Sequence, residues 1–107
     1  MSEFVAIARS ADLGEGAILA TEVAGRPVIL TRVGGVVYVL DNECSHDHSP
    51  FDAATLEGYE LCCPRHAGRF DVRTGKATRF PAVWPVRTWE AQEENDWIWV
   101  RPPEGKG

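Results

Sequence analysis

Hydrophobic positions along this chain alternate or cluster over short spans. No window sustains the i, i+3, i+4, i+7 recurrence that a helix of three or more turns requires. Phe4 to Ala8, Ala17 to Val23 and Val28 to Val33 are β-prone runs, separated by the turn-rich stretches Leu13-Gly14-Glu15-Gly16 and Ala24-Gly25-Arg26-Pro27. Val28 to Val33 and Val36 to Leu40 flank Gly34-Gly35, and two residues free to take φ > 0 predict a tight two-residue hairpin there. Glu60 to Cys63 predicts a short strand ended by Pro64, and Arg69 to Val72 a second one turning at Arg73-Thr74-Gly75. Pro81 and Pro85 punctuate Phe80 to Val86, after which Arg87 to Gln92 and Trp97 to Arg101 predict a final hairpin across Glu93-Glu94-Asn95-Asp96. The expected fold is all-β.

With 107 residues the chain is expected to form one domain, ending in a frayed tail over 102–107 that is rich in Pro and Gly. Eleven Lys and Arg against sixteen Asp and Glu give a net charge of −5. That is the wrong sign for neutralising phosphates, so neither nucleic acid nor an anionic membrane is an expected partner. The N-terminal Met1-Ser2-Glu3-Phe4-Val5 has no basic region followed by an apolar one, and no run approaches the ~20 apolar residues of a membrane span; a cytoplasmic protein is expected. Three Cys, two of them adjacent as Cys62 and Cys63, do not suit a disulfide framework.

The chemistry concentrates in two loops. From Asp41 to Pro50 polar and turn residues surround Cys44, His46 and His48, and Cys63-Pro64-Arg65-His66 follows the predicted strand at 60–63. Cys44 and His46 in one loop, with Cys63 and His66 in the other, offer two thiolates and two imidazoles. Such a set suits either tetrahedral zinc or a [2Fe-2S] cluster with two Cys on one iron and two His on the other. The spacing favours the cluster. Structural zinc usually draws both sulfurs from one tight turn, whereas each loop here supplies one Cys and one His.

At these residues the sequence resembles the Rieske-type ferredoxins, whose ligands run C-x-H and then, some sixteen residues later, C-x₂-H. The framework is similar too: the glycine hairpin before the first loop, Phe70-Asp71-Val72-Arg73-Thr74-Gly75-Lys76 after the second, and Pro85 before the last hairpin. The resemblance implies an antiparallel β sandwich of short strands, a single domain over 1–107 with a cluster-binding part at about 42–85 made of the two ligand loops. It implies that Cys44 and Cys63 hold the inner iron and that His46 and His66 hold the outer, more exposed one. Phe80-Pro81-Ala82-Val83-Trp84-Pro85 would correspond to a proline loop shielding the cluster. Where the respiratory branch carries a bridging Cys pair, this chain has Ser49 and Arg65; where high-potential members place hydroxyls, it has Gly68 and Phe70. Hydroxyl donors near the sulfurs stabilise the reduced state, so a low potential is expected, near the roughly −150 mV end of the Rieske range. The pattern is most similar to the small ferredoxins of bacterial aromatic-ring dioxygenases.

The implied role is one-electron transfer without catalysis, from an NAD(P)H-dependent flavoprotein reductase to a terminal oxygenase, by a monomer. An oxygenase subunit itself would need a further two His and a carboxylate for mononuclear iron, and only His48 is left over. The alternatives are the small Rieske-like subunit of an assimilatory NAD(P)H nitrite reductase and a structural zinc-binding interaction module. Among neighbouring residues, Cys62 is expected to be a core thiol because adjacent strand residues face opposite ways. His48 is expected to be a solvated or hydrogen-bonded loop residue, and Glu90, Glu93, Glu94 and Asp96 a solvated hairpin end. Of Trp84, Trp89, Trp97 and Trp99, most are expected in the core, with Trp84 the candidate for an interface.

Overall fold

The computed structural model describes residues 4–43, 54–63, 68–79 and 85–101. Among these residues ten strands form two antiparallel sheets. β1 (Val5–Arg9), β10 (Trp97–Arg101), β9 (Thr88–Glu94), β4 (Val36–Asp41), β3 (Arg26–Val33) and β2 (Ile18–Val23) make a six-stranded sheet in that order. β5 (Thr55–Glu57), β6 (Glu60–Cys62), β7 (Arg69–Asp71) and β8 (Ala77–Arg79) make the second. The all-β expectation holds. Among the described residues the only helical turn is a 3₁₀ segment at Ser10–Asp12, and no helix is long and apolar enough to cross a membrane.

Three hairpins share one turn geometry. Ala24 and Gly25 (φ 51° and 81°), Gly34 and Gly35 (62° and 81°), and Asn95 and Asp96 (56° and 70°) are all left-handed. That is the primed two-residue turn whose twist matches the flanking strands. It makes the first and last of these hairpins tighter than the sequence suggests. β3 begins at Arg26 rather than Val28, with Pro27 in register opposite Glu22 and its carbonyl accepting the Asn42 N–H at 3.0 Å. β5 and β8, at three residues each, are too short to leave a periodic signal, and the sequence did not predict them.

β3 is covered on both faces, which explains its unbroken apolar run. Val28 and Leu30 enter one core with Leu13, Val23, Val37, Val39, Trp89, Ile98 and Val100. Ile29 joins Leu40, Leu61, Cys63, Phe70, Val72 and Val86 in a second core, where the four-stranded sheet packs on β3 and β4. Each such side chain contributes about 1.5–3 kcal/mol when fully buried. The tryptophans divide by strand parity. Trp89 is in the core, but Trp97 and Trp99 are not, contrary to expectation, because Ile98 and Val100 take the inward positions of β10.

At the end of the six-stranded sheet where the β3–β4 and β9–β10 turns lie, Arg32 ties four segments together. Its guanidinium donates to the Leu13 carbonyl (2.7 Å), to Ser10 and Gly35 carbonyls (3.3 and 3.2 Å), and to both carboxylate oxygens of Glu93 (2.8 and 2.7 Å). Glu93 is therefore held in place by Arg32, whereas Glu90, paired with Arg101, keeps a well-exposed side chain, and Glu94 and Asp96 are exposed as expected of a hairpin end. Glu15 accepts the Gly34 and Gly35 N–H groups at 2.6 and 3.0 Å. Hydrogen bonds from Arg32 and then Ser10 hold the Glu93 carboxyl below its ordinary pKa, and the Gly34 and Gly35 amides do the same for Glu15.

Lowered carboxyl pKa values in the folded chain mean that the associated stability is present above the unfolded pKa and is lost as pH falls through the folded one. Urea unfolding followed from pH 7 to pH 3 should show this loss. Arg32→Met should cost about 2 kcal/mol at pH 7, as expected for charged hydrogen bonds removed from partly buried acceptors, and should flatten the acid limb. An unchanged limb in the variant would assign the pH dependence to other carboxylates.

Candidate metal centre

The four-stranded sheet places the site through its register. Thr55 pairs with Cys62, Cys62 with Arg69 and Arg69 with Arg79, so these four residues form one row across one end of the sheet. The chain segments beyond them, leading into 44–53, 64–67 and 80–84, attach at that end. Short strands suffice because their apolar members are anchored below: Leu61 and Phe70, both 0% exposed, meet Ile29 and Leu40 of the larger sheet.

Of the four expected ligands, Cys63 lies among the described residues. It is 2% exposed, a free thiol, and part of the core with Leu61, Phe70, Val72 and Val86. Its N–H donates to the Gly68 carbonyl at 2.9 Å, which closes the base of the segment carrying His66. Cys44, His46 and His66 lie outside the described residues, as do His48, Ser49, Arg65 and the stretch Phe80 to Trp84 of the expected proline loop.

Cys62 departs from expectation. It is half-buried and belongs to neither core, whereas Cys63 is the core thiol. Alternation along β6 is the reason: Leu61 and Cys63 share the inward face, which puts Cys62 on the outer face with Glu60 and opposite Arg69. On that face Arg69 donates to Glu57 at 2.6 Å and Glu60 at 2.9 Å. Its guanidinium, followed by the Thr78 side chain, holds the Glu60 carboxyl low. Arg69 itself is raised by Glu60 and then Glu57.

The root of the first loop is fixed from the larger sheet. Asp41 N–H donates to the Arg87 carbonyl at 3.0 Å. The Asp41 carboxylate accepts the Trp89 indole N–H at 2.7 Å, and the Arg26 guanidinium lies 4.9 Å from the Trp89 ring centroid. Gly25, Arg26, Pro27, Asp41, Asn42, Glu43 and Arg87 line an adjacent cleft. Two guanidinium and two carboxylate groups balance there, so the cleft does not select an ion of either sign. Sequence reading missed the Arg26–Trp89–Asp41 arrangement; its partners are far apart in the chain, and only the β3–β4–β9 order brings them together.

Residues 3–90 match the Rieske [2Fe-2S] domain family. The chain belongs to that family. It is 41% identical over 84 residues to the ferredoxin component of the naphthalene 1,2-dioxygenase system of Pseudomonas putida, covering 78% of this chain and 81% of that one. Its fold is similar to the ferredoxin of carbazole 1,9a-dioxygenase from Nocardioides aromaticivorans IC177, with TM-score 0.89 and 38% identity over 95% of this chain and all of that one. It is also similar, at TM-score 0.87 and 25% identity over 97% of each chain, to a chain in a complex of reduced oxygenase and oxidized ferredoxin in carbazole 1,9a-dioxygenase.

The cofactor is a Rieske-type [2Fe-2S] cluster, which excludes the structural zinc reading. Cys63 fits such a group. A reduced thiol at the rim of an apolar core, with its own amide tied back to Gly68, presents sulfur at the loop end without needing to rearrange the sheet. When bound, the cluster takes up and gives back a single electron.

Iron and sulfide content of two single variants checks the parity argument. Cys63→Ser should lose most of its iron, whereas Cys62→Ser should keep two irons and two sulfides per chain with the parent visible spectrum. Iron loss from Cys62→Ser alone would reverse the assignment of the two faces.

Proposed function

We propose that this chain is a one-electron carrier, taking electrons from an NAD(P)H-dependent flavoprotein reductase and delivering them to a terminal oxygenase of the aromatic-ring dioxygenase type. The observation that carries the proposal is the likeness, over most of the chain, to ferredoxins named as components of such systems. The ligands in this reading are Cys44 and Cys63 to the inner iron and His46 and His66 to the outer one. The whole of 1–107 acts as one domain, with its cluster-binding part at about 42–85. Partners approach the end of the four-stranded sheet where the ligand segments attach, because electron transfer requires short distance.

The described residues around Cys63 serve that task. Leu61, Phe70 and Val72 form the apolar backing of Cys63 and keep water from that side. The Cys63 N–H bond to Gly68 holds the thiol's backbone in place, which limits reorganisation when charge changes. Phe70, 0% exposed in the same core, offers no hydroxyl to the sulfurs. This supports a low potential, near the roughly −150 mV end of the family's range.

The purified protein should be red-brown, with two irons and two sulfides per chain. After dithionite it should give an EPR signal averaging near g ~1.9, as expected for mixed Cys and His ligation. Stoichiometric zinc in an anaerobic preparation that cannot be reconstituted with iron and sulfide would overturn the carrier role. Phe70→Tyr should raise the midpoint by adding a donor close to the thiolate; an unchanged midpoint would remove Phe70 from the account of low potential.

A further inference from the structure

Gly75 sits in the turn between β7 and β8 with φ +80°, and its surroundings leave no space for a side chain. A Cβ there would stand 1.9 Å from the Val86 carbonyl oxygen and 3.1 Å from both the Val86 carbonyl carbon and Thr88 Cγ2. The obstacle is backbone, so it cannot rotate away. At Gly16, Gly25, Gly35 and Gly58, which share the positive φ, a Cβ would meet nothing within 4 Å. The turn conformation alone accounts for those glycines. It does not account for the crowding at Gly75.

Two hydrogen bonds lock the contact. The Gly75 N–H donates to the Asp71 carbonyl at 2.7 Å, and the Gly75 carbonyl accepts the Val86 N–H at 2.8 Å. Asp71 is itself braced, its carboxylate accepting from the Arg73 N–H at 2.8 Å and from the Arg73 guanidinium at 3.1 and 2.9 Å. On the other side, Val86 is 4% exposed and packs in the core that contains Cys63, Leu61, Phe70 and Val72. Gly75 therefore joins a turn of the ligand-bearing sheet directly to a residue of the wall behind Cys63.

We infer that Gly75 is a positioning residue for the metal centre: its bare Cα lets the Val86 backbone close in, and this seats Val86 in the apolar wall behind Cys63 and keeps the reduction potential low. The inference rests on Cys63 being a ligand. Adding one electron makes the centre one unit more negative, and an apolar wall disfavours the more charged form. Moving Val86 outward admits water to that side and favours reduction.

The test uses holoprotein variants Gly75→Ala and Gly75→Asn, with Gly35→Ala as control. Gly35 has φ +81° but open space around it, so it reports backbone strain without crowding; Asn at 75 eases the strain but keeps the clash. Midpoints are read by spectroelectrochemistry, and amide exchange of a peptide containing Val86 by mass spectrometry. Both Gly75 variants should shift the reduction equilibrium about tenfold towards the reduced form, ~59 mV for one electron, and speed exchange at Val86 about tenfold. Gly35→Ala should leave both unchanged. A cluster-loaded Gly75→Ala with the parent midpoint, or an equal shift in Gly35→Ala, overturns the inference.

If neither Gly75 variant folds, Val86→Ala opens the same wall with the backbone contact intact and should raise the midpoint; an unchanged midpoint there overturns it equally. Failure of the ligand assignment would look different, as a Cys63→Ser protein that keeps its two irons.

Discussion

Burial of the β3–β4 hairpin on both faces is the constraint on which the rest of the molecule depends. Val28, Ile29, Leu30 and Thr31 are all within 1% of full burial, a condition that a strand in a two-sheet protein meets only when each face has its own cover. One face supports the six-stranded sheet's interior. The other receives Leu61 and Phe70 from strands of three residues, and Val72 from the turn just after β7; such short strands could not hold a sheet by their own hydrogen bonds. Even the polar member of the run is satisfied, the Thr31 hydroxyl donating to the Ala17 carbonyl at 2.8 Å, so double burial carries no unpaired group.

The site inherits its precision from that arrangement. A single row of paired residues, from Thr55 to Arg79, decides where three chain segments emerge. Alternation on β6 decides which of two adjacent thiols faces the core. A slip of one residue in the β6–β7 pairing would exchange Cys62 for Cys63 and Glu60 for Leu61, burying a carboxylate. The hydrophobic pattern therefore guards the register of the ligands.

Much of this was legible in the sequence. Gly34-Gly35 marked its hairpin, the long strands followed the β-branched runs, and Cys44, His46, Cys63 and His66 announced the family by spacing. What stayed hidden had physical reasons. Three-residue strands such as β5 and β8 have no period to detect. Ala24 gives no hint of the left-handed turn it adopts at φ 51°, since only the register of β2 against β3 demands it. Trp97 and Trp99 read as core by composition, yet strand parity turns them outward. The backbone contact of Gly75 with Val86 leaves only a glycine in the sequence, indistinguishable there from the turn glycines around it.

The division of apolar residues into two cores has a consequence for how the molecule comes apart. The core shared by Leu13, Trp89, Ile98 and Val100 includes no residue of the four-stranded sheet, so the larger sheet contains what it needs to persist as a cooperative unit of its own. The smaller sheet has no such reserve; among the described residues its apolar side chains pack on one face of β2, β3 and β4 and on the connection through Val86. Opening fluctuations should thus begin in the ligand-bearing sheet, while β3, β4, β9 and β10 exchange their amides only in full unfolding. The ligand-bearing sheet can therefore open locally while the six-stranded sheet stays folded.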